Sequence, residues 1–98
     1  MTPRYCVILP TYNNSGTLAD VVERALKVCP DVIVVNDGST DNTQTELCGL
    51  DVTVLNHDRN RGKGKALKTG LAYAAQNGFT HAVTIDSDGQ HFPEDIHL

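Results

Sequence analysis

The chain has 98 residues, 40% of them hydrophobic and 20% charged, with a formal net charge of −4. That length bounds the answer to one domain, the apolar share excludes a disordered polyelectrolyte, and the negative balance speaks against a uniformly basic nucleic-acid binder. No apolar run approaches the roughly 20 residues of a membrane span, and Met1-Thr2-Pro3-Arg4 leads into a short apolar run without a signal-type core. The cysteines, Cys6, Cys29 and Cys48, are widely spaced with no Cys-x-x-Cys pair. That excludes a disulfide framework or zinc cage, and they read as reduced, largely buried thiols of a cytosolic chain.

Tyr5 to Leu9 predicts a first strand. Leu18, Val21, Val22, Ala25, Leu26 and Cys29 then follow the i, i+3, i+4, i+7 pattern of one helical face, with Thr17 as N-cap and Pro30 as stop. Val32 to Val35 predicts a second strand. Asp41-x-x-Gln44 and Thr43-x-x-Glu46 offer overlapping capping boxes for a short helix closed by Gly49. Val52 to Leu55 predicts a third strand, and Leu67, Gly70, Leu71 and Ala74 share one face of a third helix that ends at Asn77-Gly78. Ala82 to Ile85 predicts a fourth strand. Beyond it, Pro93 at a first helical position before Glu94-Asp95-Ile96 predicts the opening turn of another helix.

The central strand runs lack polar alternation, which is how strands buried on both faces read. Strands alternating with helices predict an α/β fold, a parallel Rossmann-like sheet in the order βαβαβαβ with right-handed crossovers. Residues 1–98 read as one unit, the front portion of a larger domain, whose unfinished sheet edge offers a surface to a second copy.

In open parallel sheets, ligands bind beyond the carboxyl ends of the strands. All four ends are polar here: Pro10-Thr11-Tyr12-Asn13-Asn14, Asn36-Asp37-Gly38-Ser39-Thr40-Asp41, Asn56-His57-Asp58-Arg59-Asn60-Arg61-Gly62, and Asp86-Ser87-Asp88-Gly89-Gln90-His91. The first turn has no Gly-x-Gly-x-x-Gly, and Gly62-Lys63-Gly64-Lys65 lacks the P-loop spacing, so neither familiar phosphate loop is present. Five of the eight cations fall between Arg59 and Lys68. They make either a solvated helix face or an anion site at a helix start. Asp86 and Asp88 stand two apart, so in extended chain both carboxylates face one way and repel unless a cation lies between them. Mg²⁺ or Mn²⁺ is the natural occupant, against the plainer reading of a solvated turn. Asp37 either starts an Asx-turn or, with Thr40 or Asp41 capping the next helix, is left free to accept a hydrogen bond from a nucleobase. His57, His81 and His97 read as ordinary surface or strand-end residues.

Taken in order, these stretches resemble the inverting family 2 glycosyltransferases of the GT-A fold. The matches are Val7-Ile8-Leu9-Pro10-Thr11-Tyr12-Asn13, Val34 to Asp41, Asn60-x-Gly62-Lys63-Gly64-x-Ala66 with Gly70, and Asp86-Ser87-Asp88-Gly89-Gln90-His91. The last is most similar to the polyprenyl-phosphate branch, which includes dolichyl-phosphate mannosyltransferases. The resemblance implies that Pro10, Thr11, Tyr12 and Asn13 line a nucleoside pocket and that Asp37 binds the base. It places Lys63 near the nucleotide, Asp86 by the ribose and metal, and Asp88 on the metal with help from Gln90. It further implies a UDP- or GDP-sugar donor, a lipid phosphate or saccharide acceptor, and a cytoplasmic location, peripheral at the membrane face. Asn36 stands where the family usually carries another aspartate. The family's acceptor site and general base lie in a second half, so no residue here is assigned as base. The same pocket without turnover, a non-catalytic nucleotide-diphosphate module, is the alternative. A flavodoxin-like phosphoacceptor domain would need a lysine after a late strand and a fifth βα unit, and the sequence has neither.

Overall fold

The computed structural model describes residues 2–85 and the backbone of residues 94–97. The apolar runs form strands β1 (Tyr5–Thr11), β2 (Val32–Asp37), β3 (Thr53–His57) and β4 (His81–Thr84). Between them lie helices α1 (Leu18–Val28), α2 (Thr43–Leu47) and α3 (Lys63–Gln76), and a last strand, β5, spans Glu94–His97. The sheet order is β3-β2-β1-β4-β5. β1 pairs in parallel with β2 (Leu9 opposite Val34) and with β4 (Val7 opposite Val83), and β2 pairs in parallel with β3.

That order explains the unbroken apolar strands. β1 to β3 march outward, so their crossovers lie on one face; the crossover from β3 back past β1 to β4 must then lie on the other. Alternate residues of each strand feed two cores accordingly. Val7, Leu9, Val32 and Val34 pack with Leu18, Val21, Val22 and Ala25 of α1 and Leu47 of α2. Cys6, Ile8, Ile33, Val35 and Ala82 pack with Ala66 and Ala74 of α3. Fully buried side chains such as Leu9, Leu18 and Val22 each contribute about 1.5–3 kcal/mol of transfer free energy.

Four local expectations are revised. Residues 94–96 do not open a helix: they belong to β5, which runs antiparallel to β4 with Ile96 opposite Ala82 and Glu94 opposite Thr84. A single helical turn would leave the outer N–H and C=O groups of β4 unpaired, and a strand satisfies them. β5 therefore occupies the open side of β4, and β3 and β5 form the sheet's edges.

The capping boxes do not close. The Asp41 carboxylate accepts the Thr43 N–H at 3.0 Å and its hydroxyl. Glu46 instead accepts the Gly16 N–H at 2.8 Å, placing a negative charge at the positive end of α1. Thr17 supplies no side-chain cap to α1; its hydroxyl donates to the Asn14 carbonyl.

The thiols, all free, are not largely buried: Cys6 is buried, Cys29 intermediate and Cys48 exposed, because Cys48 follows α2 at the surface turn closed by Gly49 (φ 88°). Burial, with Cys29 and Asp31 nearby, pushes the Cys6 thiol up to about 11.

Candidate functional site

The reversal of strand order falls at β1. The chain leaves β1 toward β2 and β3 and returns to its other side as β4, so the switch-point crevice opens at the carboxyl ends of β1 and β4. The parallel ladder runs to that edge, where the Ile85 N–H donates to the Ile8 carbonyl at 3.1 Å. The loop after β1 borders that edge; Asp86 and Asp88 follow β4 in sequence.

The β1–α1 loop is held by the β2–α2 loop. Asn13 takes a left-handed conformation (φ 51°), which an asparagine tolerates better than most residues. Its N–H donates to Ser39 Oγ at 3.0 Å, and its Oδ1 accepts the Thr40 N–H at 2.8 Å. The Ser15 N–H donates to Asp41 Oδ2 at 3.0 Å, and Gly16 is held by Glu46. Thr11 is buried beneath the loop, whereas Tyr12 is 45% exposed. Asn36 is buried, its Oδ1 accepting the Ser39 N–H at 3.2 Å and its Nδ2 donating to Gln44 Oε1 at 3.4 Å.

Asp37 is not left free as expected. Its side chain is only 4% exposed and is held by its own neighbours. Oδ1 lies 2.7 Å from His57 Nδ1 and accepts the Arg61 N–H at 2.9 Å; Oδ2 accepts the Gly62 N–H at 2.9 Å. Burial pushes the Asp37 carboxyl up, but the His57 hydrogen bond, the two backbone amides and the imidazole's charge together hold it below its ordinary value. The cause is register: Asp37 and His57 end adjacent parallel strands directly opposite one another. Asp37 therefore fixes the turn from β3 into α3, where Gly62 (φ 95°) precedes Lys63, the exposed first residue of the helix.

His57 is more than a strand-end residue. Its side chain is 11% exposed, and Nε2 lies 2.8 Å from Thr69 Oγ1 on α3. Neither His57 nor Thr69 carried a motif in the sequence; the matched ends of β2 and β3 are the signal that would have paired Asp37 with His57. Beside them, a cleft of about 440 Å³ is lined by Asn56, His57, Asp58, Arg61, Lys65 and Thr69. A larger cavity of about 730 Å³, lined mainly by apolar residues including Val21, Val28, Val83 and Ile85 but also by Arg4, Arg24 and Asp31, lies away from the strand-end loops.

Asp86, Asp88, Gln90 and His91 lie outside the described residues. Two carboxylates and an amide oxygen are a hard donor set suited to Mg²⁺ or Mn²⁺. Among the described residues no group of three or more His, Cys, Asp or Glu could hold a metal ion. Nor is any helix among them long and apolar enough to cross a membrane.

The profile of glycosyl transferase family 2 matches residues 6–98. The chain is 35% identical, over 92% of its length, to the UDP-N-acetylglucosamine–dolichyl-phosphate N-acetylglucosaminyltransferase of Methanococcus voltae. It is 37% identical, over 97% of its length, to the polyprenol monophosphomannose synthase of Mycolicibacterium smegmatis. It spans 43% and 39% of those two relatives. Among solved structures, glucosyl-3-phosphoglycerate synthase from Mycobacterium tuberculosis, in complex with Mn²⁺, uridine diphosphate and glucosyl-3-phosphoglycerate, is similar with a TM-score of 0.75 at 26% identity. That similarity covers 87% of this chain and 33% of the synthase.

Proposed function

The chain belongs to glycosyl transferase family 2, and we propose that it forms the donor-binding part of an enzyme that transfers a sugar from a nucleoside diphosphate to a polyprenyl phosphate. Its βαβαβαβ core is the Rossmann-like nucleotide-binding half of the GT-A fold. The observation that carries the proposal is the switch point at β1, flanked by the Thr11-Tyr12-Asn13 loop on one side and followed in sequence by Asp86 and Asp88 on the other.

In this reading Pro10, Thr11, Tyr12 and Asn13 line the nucleoside pocket, with the exposed Tyr12 ring as a face for the base. Asp37 acts on the nucleotide end through the turn it holds and through Oδ2, which accepts one hydrogen bond from the protein and has capacity for another. Lys63 lies toward the diphosphate. Asp86, Asp88 and Gln90 would hold a divalent ion, and when bound that ion neutralises charge developing on the departing nucleoside diphosphate. The acceptor chemistry favours a lipid phosphate. An ionised phosphate oxygen can attack the anomeric carbon as the bond to the nucleotide breaks, with no hydroxyl proton to remove. Such an acceptor would bring the enzyme to a membrane face as a peripheral protein. The relatives' names support that acceptor class, and the uridine diphosphate and Mn²⁺ complex of the synthase supports the donor and metal.

The test is a thermal melt of the chain with Mn²⁺ and UDP, GDP or ADP. Binding to the native state alone raises stability by about 2.7 kcal/mol at a hundredfold excess over Kd. We expect one nucleotide to raise the midpoint only with Mn²⁺ present, and Asp88→Ala to abolish that shift while the unliganded midpoint stays put. Undiminished Mn²⁺-dependent binding by Asp88→Ala would overturn the metal assignment, and a cooperative melt that no nucleotide shifts would overturn the donor site.

A further inference from the structure

We propose that His57 is a positioning residue for donor binding: by pinning Asp37 against Thr69, it fixes the β3–α3 turn that presents Lys63 and its neighbouring cations. The inference rests on the donor-site reading above and adds a residue that no motif of the family resemblance contains.

The geometry is a strut between two elements. At one end Asp37, the last residue of β2, uses both carboxylate oxygens on the turn, taking the N–H groups of Arg61 and Gly62 at 2.9 Å each. A carboxylate on a side chain free to rotate would hold those amides poorly. His57 Nδ1, at 2.7 Å, fixes the carboxylate plane. At the other end Nε2 meets Thr69 Oγ1 at 2.8 Å on the second turn of α3, so the ring cannot swing away. Both ring nitrogens are engaged, and both members of the hydrogen-bonded pair are nearly excluded from solvent, where hydrogen bonds are stronger and loss of one partner leaves the other unsatisfied. The strut thus ties the ends of β2 and β3 to the helix whose first turn carries Lys63 and Lys65. Arg61, whose amide Asp37 holds, also reaches Asp58 at 3.2 Å. Without His57, Asp37 would be expected to seek another donor and the turn would lose its fixed path.

Three chains separate this role from general packing: parent, His57→Asn and His57→Gln. The asparagine amide nitrogen can reach Asp37 from about the Nδ1 position but not Thr69; glutamine reaches toward Thr69 and leaves Asp37 without its donor. Amide hydrogen exchange at Arg61 and Gly62 and the Kd for UDP or GDP with Mn²⁺ are both read. We expect His57→Gln to lose at least about tenfold in protection at both amides and about tenfold in affinity, and His57→Asn to stay within about threefold of the parent on both. Unchanged protection in His57→Gln overturns the strut, and lost protection with unchanged nucleotide affinity overturns its part in donor binding. If the parent binds no nucleotide, the donor-site reading falls, and the exchange pattern alone then upholds or overturns the strut as a loop-holding device.

Discussion

Gly70 of α3 sits so close to Ile8 of β1 that a Cβ placed on it would lie 2.6 Å from Ile8 Cγ2 and 3.3 Å from Val35 Cγ2. Ile8 is fully buried and its Cγ2 is attached next to the backbone, so it has little room to give. Gly70→Ala is therefore expected to lose about 1–3 kcal/mol through overpacking, more than the roughly 1 kcal/mol that alanine gains over glycine in a helix. Gly64→Ala, in the same helix with nothing within 4 Å of the added methyl, is expected to be neutral or stabilising. Urea unfolding of the two variants checks both signs.

Gly38 meets backbone, which has no rotamer to escape into. A Cβ there would lie 2.3 Å from the Arg59 carbonyl carbon and 2.4 Å from the Asn60 nitrogen, at a φ of +72°. Gly38→Ala must push the β3–α3 loop away from the end of β2, breaking the Asp37 contacts to Arg61 and Gly62. We expect a loss of at least about 3 kcal/mol, combining positive-φ strain with a forced backbone shift. Loss of Mn²⁺-dependent nucleotide binding should accompany it. A melt with and without nucleotide reads both.

Asn13 combines an unusual backbone conformation with two loop contacts, and substitutions separate the two. Asn13→Gly keeps the positive φ and loses the acceptor for the Thr40 N–H; Asn13→Ala loses both. The expected order of stability is parent, then glycine, then alanine, with about 1 kcal/mol between successive members. Thermal midpoints give that order directly, and an alanine variant more stable than the glycine one would contradict it.

Asp41 makes the loops acid-sensitive. The Thr43 hydroxyl, against a smaller opposing effect of burial and with help from the Ser15 and Thr43 amides, lowers its carboxyl from 3.8 to about 2. Because the folded value lies below the unfolded one, the stabilisation is complete above the unfolded value. It fades as pH falls between the two and is gone below the folded one. Asp37, also lowered, acts in the same direction. The midpoint is expected to drop as pH falls from about 4 to 2, and Asp41→Asn should flatten part of that slope in a pH series of melts.

Much of this was legible in the sequence. The apolar runs fixed β1 to β4 within two residues of their observed ends, because strands buried on both faces tolerate little else, and the periodicity of Leu18 to Ala25 gave the buried face of α1. The segment at 94–97 was not legible, since Pro-Glu-Asp reads as a helix start until one knows that β4 has an open side. The sequence reads Asp37 as free for a ligand at the end of β2, whereas the folded chain engages both its carboxylate oxygens. Its partners are an imidazole 20 residues away and two backbone amides beyond that, and only register places them together. The partnership of His57 is hidden in the sequence for the same reason.

The position of β1 in the sheet also has a consequence for synthesis. β1 is made well before its second neighbour, β4; the Arg4 N–H is hydrogen-bonded to Thr80 across 76 residues. A nascent chain can join β1, β2 and β3 beneath α1 and α2 well before that. Until α3 and β4 leave the ribosome, Cys6, Ile8, Ile33 and Val35 would line a bare apolar face, and both edges of the partial sheet would be open. Such an intermediate is the kind that holdase chaperones bind and that aggregates when they are scarce. Slow translation between Leu55 and Ala82 should therefore cost this protein more soluble yield than the same delay placed earlier.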